Sequence, residues 1–166
     1  KIRKPVIASI QGYCFGVGFE FSLACDFRIV TRCAQLSLPE IKIGMIPGSG
    51  GSVRLSRMIG LSRVKDMIMR GKRISGEEAY NYGLASEVVE INDLENATRN
   101  LVKELCLVSP LAQRAIKTVL NASQDAPLHV AIELEGETYG RLRSSSDFKE
   151  GVKSFVEKRK PVYTGQ

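Results

Sequence analysis

The period of the apolar positions changes along the chain, and the changes mark the elements. Residues 5–10 form a short β-branched run (Val6, Ile7, Ile10) closed by Gln11 and Gly12, the pattern of a buried strand and a turn. Residues 14–20 carry Gly16 and Gly18 and run into apolar positions at helical spacing over 19–25. Asp26 breaks that spacing before a second strand over 27–30. Strand, glycine turn, helix and strand in one short stretch predict a β/α unit with parallel strands. Alternation over 35–41 predicts a third strand, followed by a second glycine-rich loop over 47–51 and a helix over 52–59.

Beyond residue 60 helical periods dominate. Val64, Met67 and Ile68 share one face of a helix over 62–70. Ser75 and Glu78 have capping-box spacing and open a helix that ends near Gly83. Residues 84–91 read as extended. Asp93 caps a long amphipathic helix to 107, Pro110 opens another to about 122, and a third spans 127–143. Residues 146–151 precede a last helix over 152–158 and a basic tail. The chain thus divides into a mixed α/β part, 1–92, and a helical part, 93–166, with no internal repeat.

Length and composition narrow the function. At 166 residues, 43% apolar and 25% charged, the chain is of globular composition and large enough to bury a core. No apolar run reaches the roughly 18 residues that cross a bilayer, so no membrane partner is expected. Cys14, Cys25, Cys33 and Cys106 form no CxxC pair, and His129 is the one histidine. Reduced thiols, no metal site and a cytoplasmic location are expected, or the mitochondrial matrix for a eukaryotic chain. The first residue is Lys1 rather than methionine, so an intact translation product is not expected. The net charge of +6 fits either a solvated surface or a polyanionic ligand, nucleic acid or a phosphate-bearing molecule. Aromatics make up 7% of the chain and sit within apolar periodic stretches, which argues against nucleic acid as the main partner.

His129 lies in an amphipathic stretch far from either glycine loop, which disfavours Ser-His-Asp and Cys-His mechanisms. General acid–base work then falls to carboxylates, and two stand out. Glu20 follows Gly16-Val17-Gly18 in the first turn of a helix, and Glu40 sits between Pro39 and Ile41 beside the second glycine loop. Each has a plain structural reading, the first as an acid favoured by a helix N-terminus and the second as a solvated strand-edge acid. A glycine turn feeding a helix exposes unpaired N–H groups that can hold a phosphate or a carbonyl oxygen gaining charge. Phe21 stands where a dinucleotide motif needs its third glycine, and neither loop carries the Gly-Lys-Ser/Thr of a P-loop.

Taken together, these segments resemble the crotonase (enoyl-CoA hydratase/isomerase) superfamily. The resemblance rests on residues 4–13, Gly16 to Glu20, Ala24-Cys25-Asp26, Pro39 to Gly44, Ile46 to Gly51 and Arg54-Leu55. It continues through Gly71 to Ser75, Ala79 to Leu84, Glu150-Gly151 and 155–161, and so covers essentially the whole chain. It implies an α/β fold, here the C-terminal portion of a ββα spiral core over 1–92, followed by a helical trimerisation region over 93–166. It also implies an acyl-CoA substrate, no separate cofactor, and assembly as a homotrimer or hexamer.

By the same resemblance, Glu20 is the base that activates water and Glu40 the acid that protonates the α-carbon. Val17 supplies one N–H of an oxyanion hole, and Gly16, Gly18, Pro47 and Gly48 line the substrate site. Lys158 and Lys160 are expected to meet the CoA phosphates. Val17 replaces the middle glycine of the family's run, keeping the N–H but adding a β-branched side chain. The chain begins partway into the family's fold, so the second oxyanion donor is expected from an N-terminal portion on the same or another polypeptide. The expected activity is hydration of a 2-enoyl-CoA to a 3-hydroxyacyl-CoA. The competing readings are an isomerase using Glu40 alone, an RNA-binding relative using Lys65, Arg70, Lys72 and Arg73, and a pure assembly element.

Overall fold

β-Branched residues build the middle of the first sheet. In the computed structural model, which describes residues 2–166, β3 (Phe27–Thr31) lies between β1 (Ile7–Ile10) and β6 (Glu87–Val89), all three parallel. Ile7 pairs with Phe27 and Ile29 with Glu87. A second sheet has the order β2 (Tyr13–Phe15), β4 (Gln35–Ser37), β5 (Ile74–Ser75), parallel across the first pair and antiparallel across the second. The short strand at Tyr13–Phe15 was not expected from its flanking glycines. It exists because Cys14 pairs with Leu36, where both can pack inward.

By internal packing the chain forms two compact units, Val6–Asn100 and Leu101–Gln166, the latter with the residues before Val6. In the first, α1 (Val17–Leu23), α2 (Gly51–Ile59), α3 (Leu61–Arg70) and α4 (Gly76–Asn81) enclose a core of Phe19, Leu23, Val30, Leu36, Leu38, Leu55, Met67 and Ile74. The capping box at Ser75 forms, its side chain taking the Glu78 N–H while Glu78 takes the Ser75 N–H. Gly76 is required on steric grounds, since a Cβ there would lie 2.0 Å from the Thr31 carbonyl oxygen. Arg28 is buried and its guanidinium donates to the carbonyls of Ser22, Cys25 and Leu84. Ser22 lies in the last turn of α1 and Cys25 just beyond its cap, so Arg28 anchors the helix that carries Glu20.

The strand expected over 35–41 stops at Ser37. Pro39 has no N–H for a ladder, and the chain turns into a 3-10 helix over Glu40–Ile43 that ends at Gly44 (φ 77°). Glu40 therefore opens a tight turn instead of ending a strand.

In the second unit α6 (Pro110–Ser123), α7 (Leu128–Arg143) and α8 (Ser146–Val156) follow α5 (Leu94–Cys106), which spans the division between units. Pro110 stands at the first position of α6, as expected, and the cap before it is Ser109. The last helix begins six residues earlier than expected, because the Ser145 hydroxyl accepts the Phe148 N–H and starts it there. The tail folds back on α8. Asp147 accepts from Ser109 Oγ and from the N–H groups of Thr164 and Gly165. Glu150 pairs with Arg159 and accepts the Val162 N–H, which together hold its carboxyl down at about 2. Among the described residues no helix is long and apolar enough to cross a membrane.

Candidate active site

Gly16 begins the site. Its backbone (φ 54°, ψ −129°) is of a kind that suits glycine, and it lets the chain leave β2 and enter α1 at once. Its carbonyl accepts the Glu20 N–H at 2.9 Å, which puts Glu20 on the first turn. Glu20 is 1% exposed. A buried carboxylate is costly unless hydrogen-bonded, and here the main chain supplies the donors. Ser49 N–H and Gly51 N–H both reach Glu20 Oε1 at 2.8 Å. Gly51 is the first residue of α2, so the positive end of that helix faces the carboxylate. The absence of a side chain at Gly51 makes the approach feasible: a Cβ there would stand 2.7 Å from Glu20 Cγ and 2.8 Å from Oε1. Glu20 Oε2 receives no hydrogen bond among the described residues.

Glu40 comes to Gly16 from the end of β4, the strand paired with β2 in the same sheet. The turn after Pro39 packs its carboxyl against Gly16, with Oε1 3.1 Å from where a Gly16 Cβ would be. Its Oε2 is buried and has no protein partner. One acid is hydrogen-bonded through its own N–H to Gly16, and the other lies against the Gly16 α-carbon. The two acids thus meet at one glycine, Glu20 through its backbone N–H and Glu40 through its carboxyl, and each carboxyl keeps an oxygen without a hydrogen bond among the described residues.

The remaining expected residues fall as follows. Val17 is the first residue of α1, so its N–H has no intrahelical acceptor, and its side chain is 67% exposed. Phe21, one turn on, is also exposed and gives that face of α1 an apolar stripe. Gly18 is exposed with open space where a Cβ would be. Pro47 is buried and Gly48 exposed in the loop that delivers Ser49 to Glu20. Lys158 and Lys160 are exposed in the tail of the second unit, Lys158 with φ 53°. The main-chain donors Ser49 and Gly51 were not foreseen. Their signal in the sequence is Gly50-Gly51 placed at the predicted start of a helix.

His129 is exposed on α7. Of the cations considered for RNA, Arg70 and Lys72 both pair with Asp66, whose carboxyl they hold below its ordinary value. Arg73 lies over the ring of Phe15 at 4.9 Å. These three are therefore engaged within the chain. Among the described residues no group of three or more His, Cys, Asp and Glu side chains is placed to hold a metal.

Two carboxyls that each keep an oxygen free of hydrogen bonds can take a proton and deliver one, beside the N-terminus of α1. Known proteins carry the same arrangement of chain. The family model described as Enoyl-CoA hydratase/isomerase matches residues 1–166. A carnitinyl-CoA dehydratase of Salmonella paratyphi A is 38% identical over 99% of this chain and 65% of its own length. The chain thus spans about 65% of the curated relatives it matches. The crystal structure of an enoyl-CoA hydratase from Bacillus anthracis superposes with a TM-score of 0.97 at 39% identity, covering 100% of this chain and 64% of that one. An enoyl-CoA hydratase from Polaromonas sp. JS666 does so with 0.94 at 30% identity, covering 98% and 63%.

Proposed function

The chain belongs to the enoyl-CoA hydratase/isomerase family, and on that premise we propose that it carries the acid–base pair of a hydro-lyase acting on a 2-enoyl-CoA thioester. The observation that carries the reading is the pair itself: buried Glu20, one helical turn after Gly16 and pinned through Oε1 by two main-chain N–H groups, and Glu40, packed on Gly16 with its Oε2 unpartnered. Water lies between the two carboxylates. Glu20 takes a proton from it through Oε2, the hydroxide bonds to C3, and the electron pair of the double bond moves toward the thioester carbonyl. Glu40 delivers a proton to C2, and the product is the 3-hydroxyacyl-CoA. Run in reverse, the same steps are a dehydration, the reaction class named for the Salmonella relative.

The oxygen of the developing enolate needs fixed donors, each worth roughly 3–4 kcal/mol in such sites. Val17 N–H supplies one, and the second comes from outside these 166 residues. The Val17 and Phe21 side chains give the acyl group an apolar wall. The complete protein is proposed to assemble as a trimer or hexamer, with Lys158 and Lys160 serving the phosphates of CoA.

An isomerase needs one acid to shuttle a proton, whereas addition of water needs a base and an acid on one face. The buried, doubly hydrogen-bonded Glu20 favours the second. The test uses the complete protein and crotonyl-CoA, following loss of the conjugated thioester absorbance. Glu20→Gln and Glu40→Gln should each lower kcat by roughly 10²–10⁴. Absence of hydration in the wild type, or isomerisation that survives Glu20→Gln, would replace this reading with the isomerase.

A further inference from the structure

We infer that Arg54 is a positioning residue for the base Glu20, acting through the single peptide group between Ser49 and Gly50. Glu20 Oε1 is held by the N–H of Ser49 and the N–H of Gly51. Those donors belong to the peptide groups 48–49 and 50–51, and the group 49–50 lies between them. Its carbonyl oxygen accepts from Arg54 Nη1 at 2.7 Å. Arg54 is on α2, one turn into the helix whose first residue is Gly51, so the guanidinium folds back over the loop from a rigid element. The fit is close: a Cβ on Gly50 would lie 2.6 Å from Arg54 Nη1.

The geometry gives this contact a specific task. Gly50 has φ 89° and marks the entry to α2. Glycine at position 50 leaves ψ of Ser49 and φ of Gly50 free to rotate separately, and such rotation re-aims the peptide groups on either side. Without a hold on the Ser49 carbonyl, that freedom would turn the flanking N–H groups away from Glu20 without unfolding α2. Leu55, the next residue, is fully buried, and the Arg54 N–H is already bonded to Gly50 O at 3.0 Å, so the helix keeps its place. The charge-assisted bond from Arg54 to Ser49 O is what selects one orientation of the peptide. Lysine at this position keeps the charge but carries it as a compact ammonium on a flexible stem, without the planar fork, and so selects it less well.

The role rests on Glu20 being the base, and two measurements separate it from that reading. In the complete protein, Arg54→Ala should lower kcat for crotonyl-CoA hydration by about 10²-fold with KM within about twofold, the scale of a base displaced by an ångström. Arg54→Lys should fall between, and added guanidinium ion should restore part of the rate to Arg54→Ala. Independently of activity, amide hydrogen exchange at Ser49 and Gly51 should quicken in Arg54→Ala while exchange at Leu55 stays as in the wild type. If exchange quickens but the wild type hydrates nothing, the positioning role stands and the assignment of Glu20 as base falls. If exchange at Ser49 and Gly51 is unchanged, or Arg54→Ala only melts earlier with kcat intact and no response to guanidinium, Arg54 positions nothing.

Discussion

Replacing Gly51 by alanine tests the base pocket most directly. The backbone at this first position of α2 is helical, so alanine carries no conformational strain there and by itself would add about 0.5–1 kcal/mol. The new methyl would stand 2.7 Å from Glu20 Cγ and 2.8 Å from Oε1, well inside contact distance, in a site where Glu20 is 1% exposed. Relief requires Glu20 or the N-terminus of α2 to move. Overpacking of this kind costs about 1–3 kcal/mol, and a weakened hydrogen bond to a buried charge costs about 1.5–3. Allowing for partial relaxation, the net is roughly 2–3 kcal/mol of lost stability, or a fall in Tm of about 4–12 °C. The same displacement should lower kcat/KM for crotonyl-CoA by about 10²-fold.

Gly136→Ala provides the contrast, because Gly136 lies within α7 with nothing near the added methyl. The same chemical change there should raise stability by about 0.5–1 kcal/mol and leave the rate alone. Thermal unfolding by circular dichroism and the crotonyl-CoA absorbance assay read both effects. A Gly51→Ala protein as stable as wild type, with kcat/KM within twofold, would refute the placement of Glu20 against the start of α2.

Gly76→Ala should be the more damaging glycine substitution. Its Cβ would lie 2.0 Å from the Thr31 carbonyl oxygen of β3, and the loss should reach at least about 3 kcal/mol in denaturant titration. A smaller loss would mean that α4 can draw back from the sheet. Glu150, held at about 2 by Arg159 and the Val162 N–H, gives a pH prediction for the tail. Its folded value lies below the ordinary 4.5, so its contribution is complete above that pH and disappears as pH falls toward 2. The protection of the Val162 amide relative to its unfolded exchange rate should therefore fall over that range, and in Glu150→Gln it should be low already at neutral pH. Equal exchange in the two proteins would contradict the pairing.

The helices and the parallel character of the main sheet were readable because their signals are local. Ser75 with Glu78, Pro110 after Ser109 and the apolar face of Val64, Met67 and Ile68 each depend on neighbours in the chain. The two acids were readable from their context too, by resemblance and by the cost of placing a charge beside apolar residues. The strand at Tyr13–Phe15 was not, since its pairing with Gln35–Ser37 is a long-range event that three residues cannot advertise. The start of α8 falls six residues before the expected one, because the cap that begins it, Ser145, stands in a run of three serines that look alike in the sequence. The partners of Glu20 were hidden for a deeper reason. They are N–H groups of Ser49 and Gly51, present in any residue but proline, and only the fold aims them.

That anonymity of the donors has an evolutionary side. Because the grip on Glu20 is made of backbone, the side chain at position 49 is free to drift without touching the chemistry, and only position 51 must stay bare. On the proposed function, by contrast, substrate preference falls to protruding side chains such as Val17 and Phe21. Under that reading, exchanging one protruding residue alters what is accepted while the backbone grip on Glu20 stays as it is.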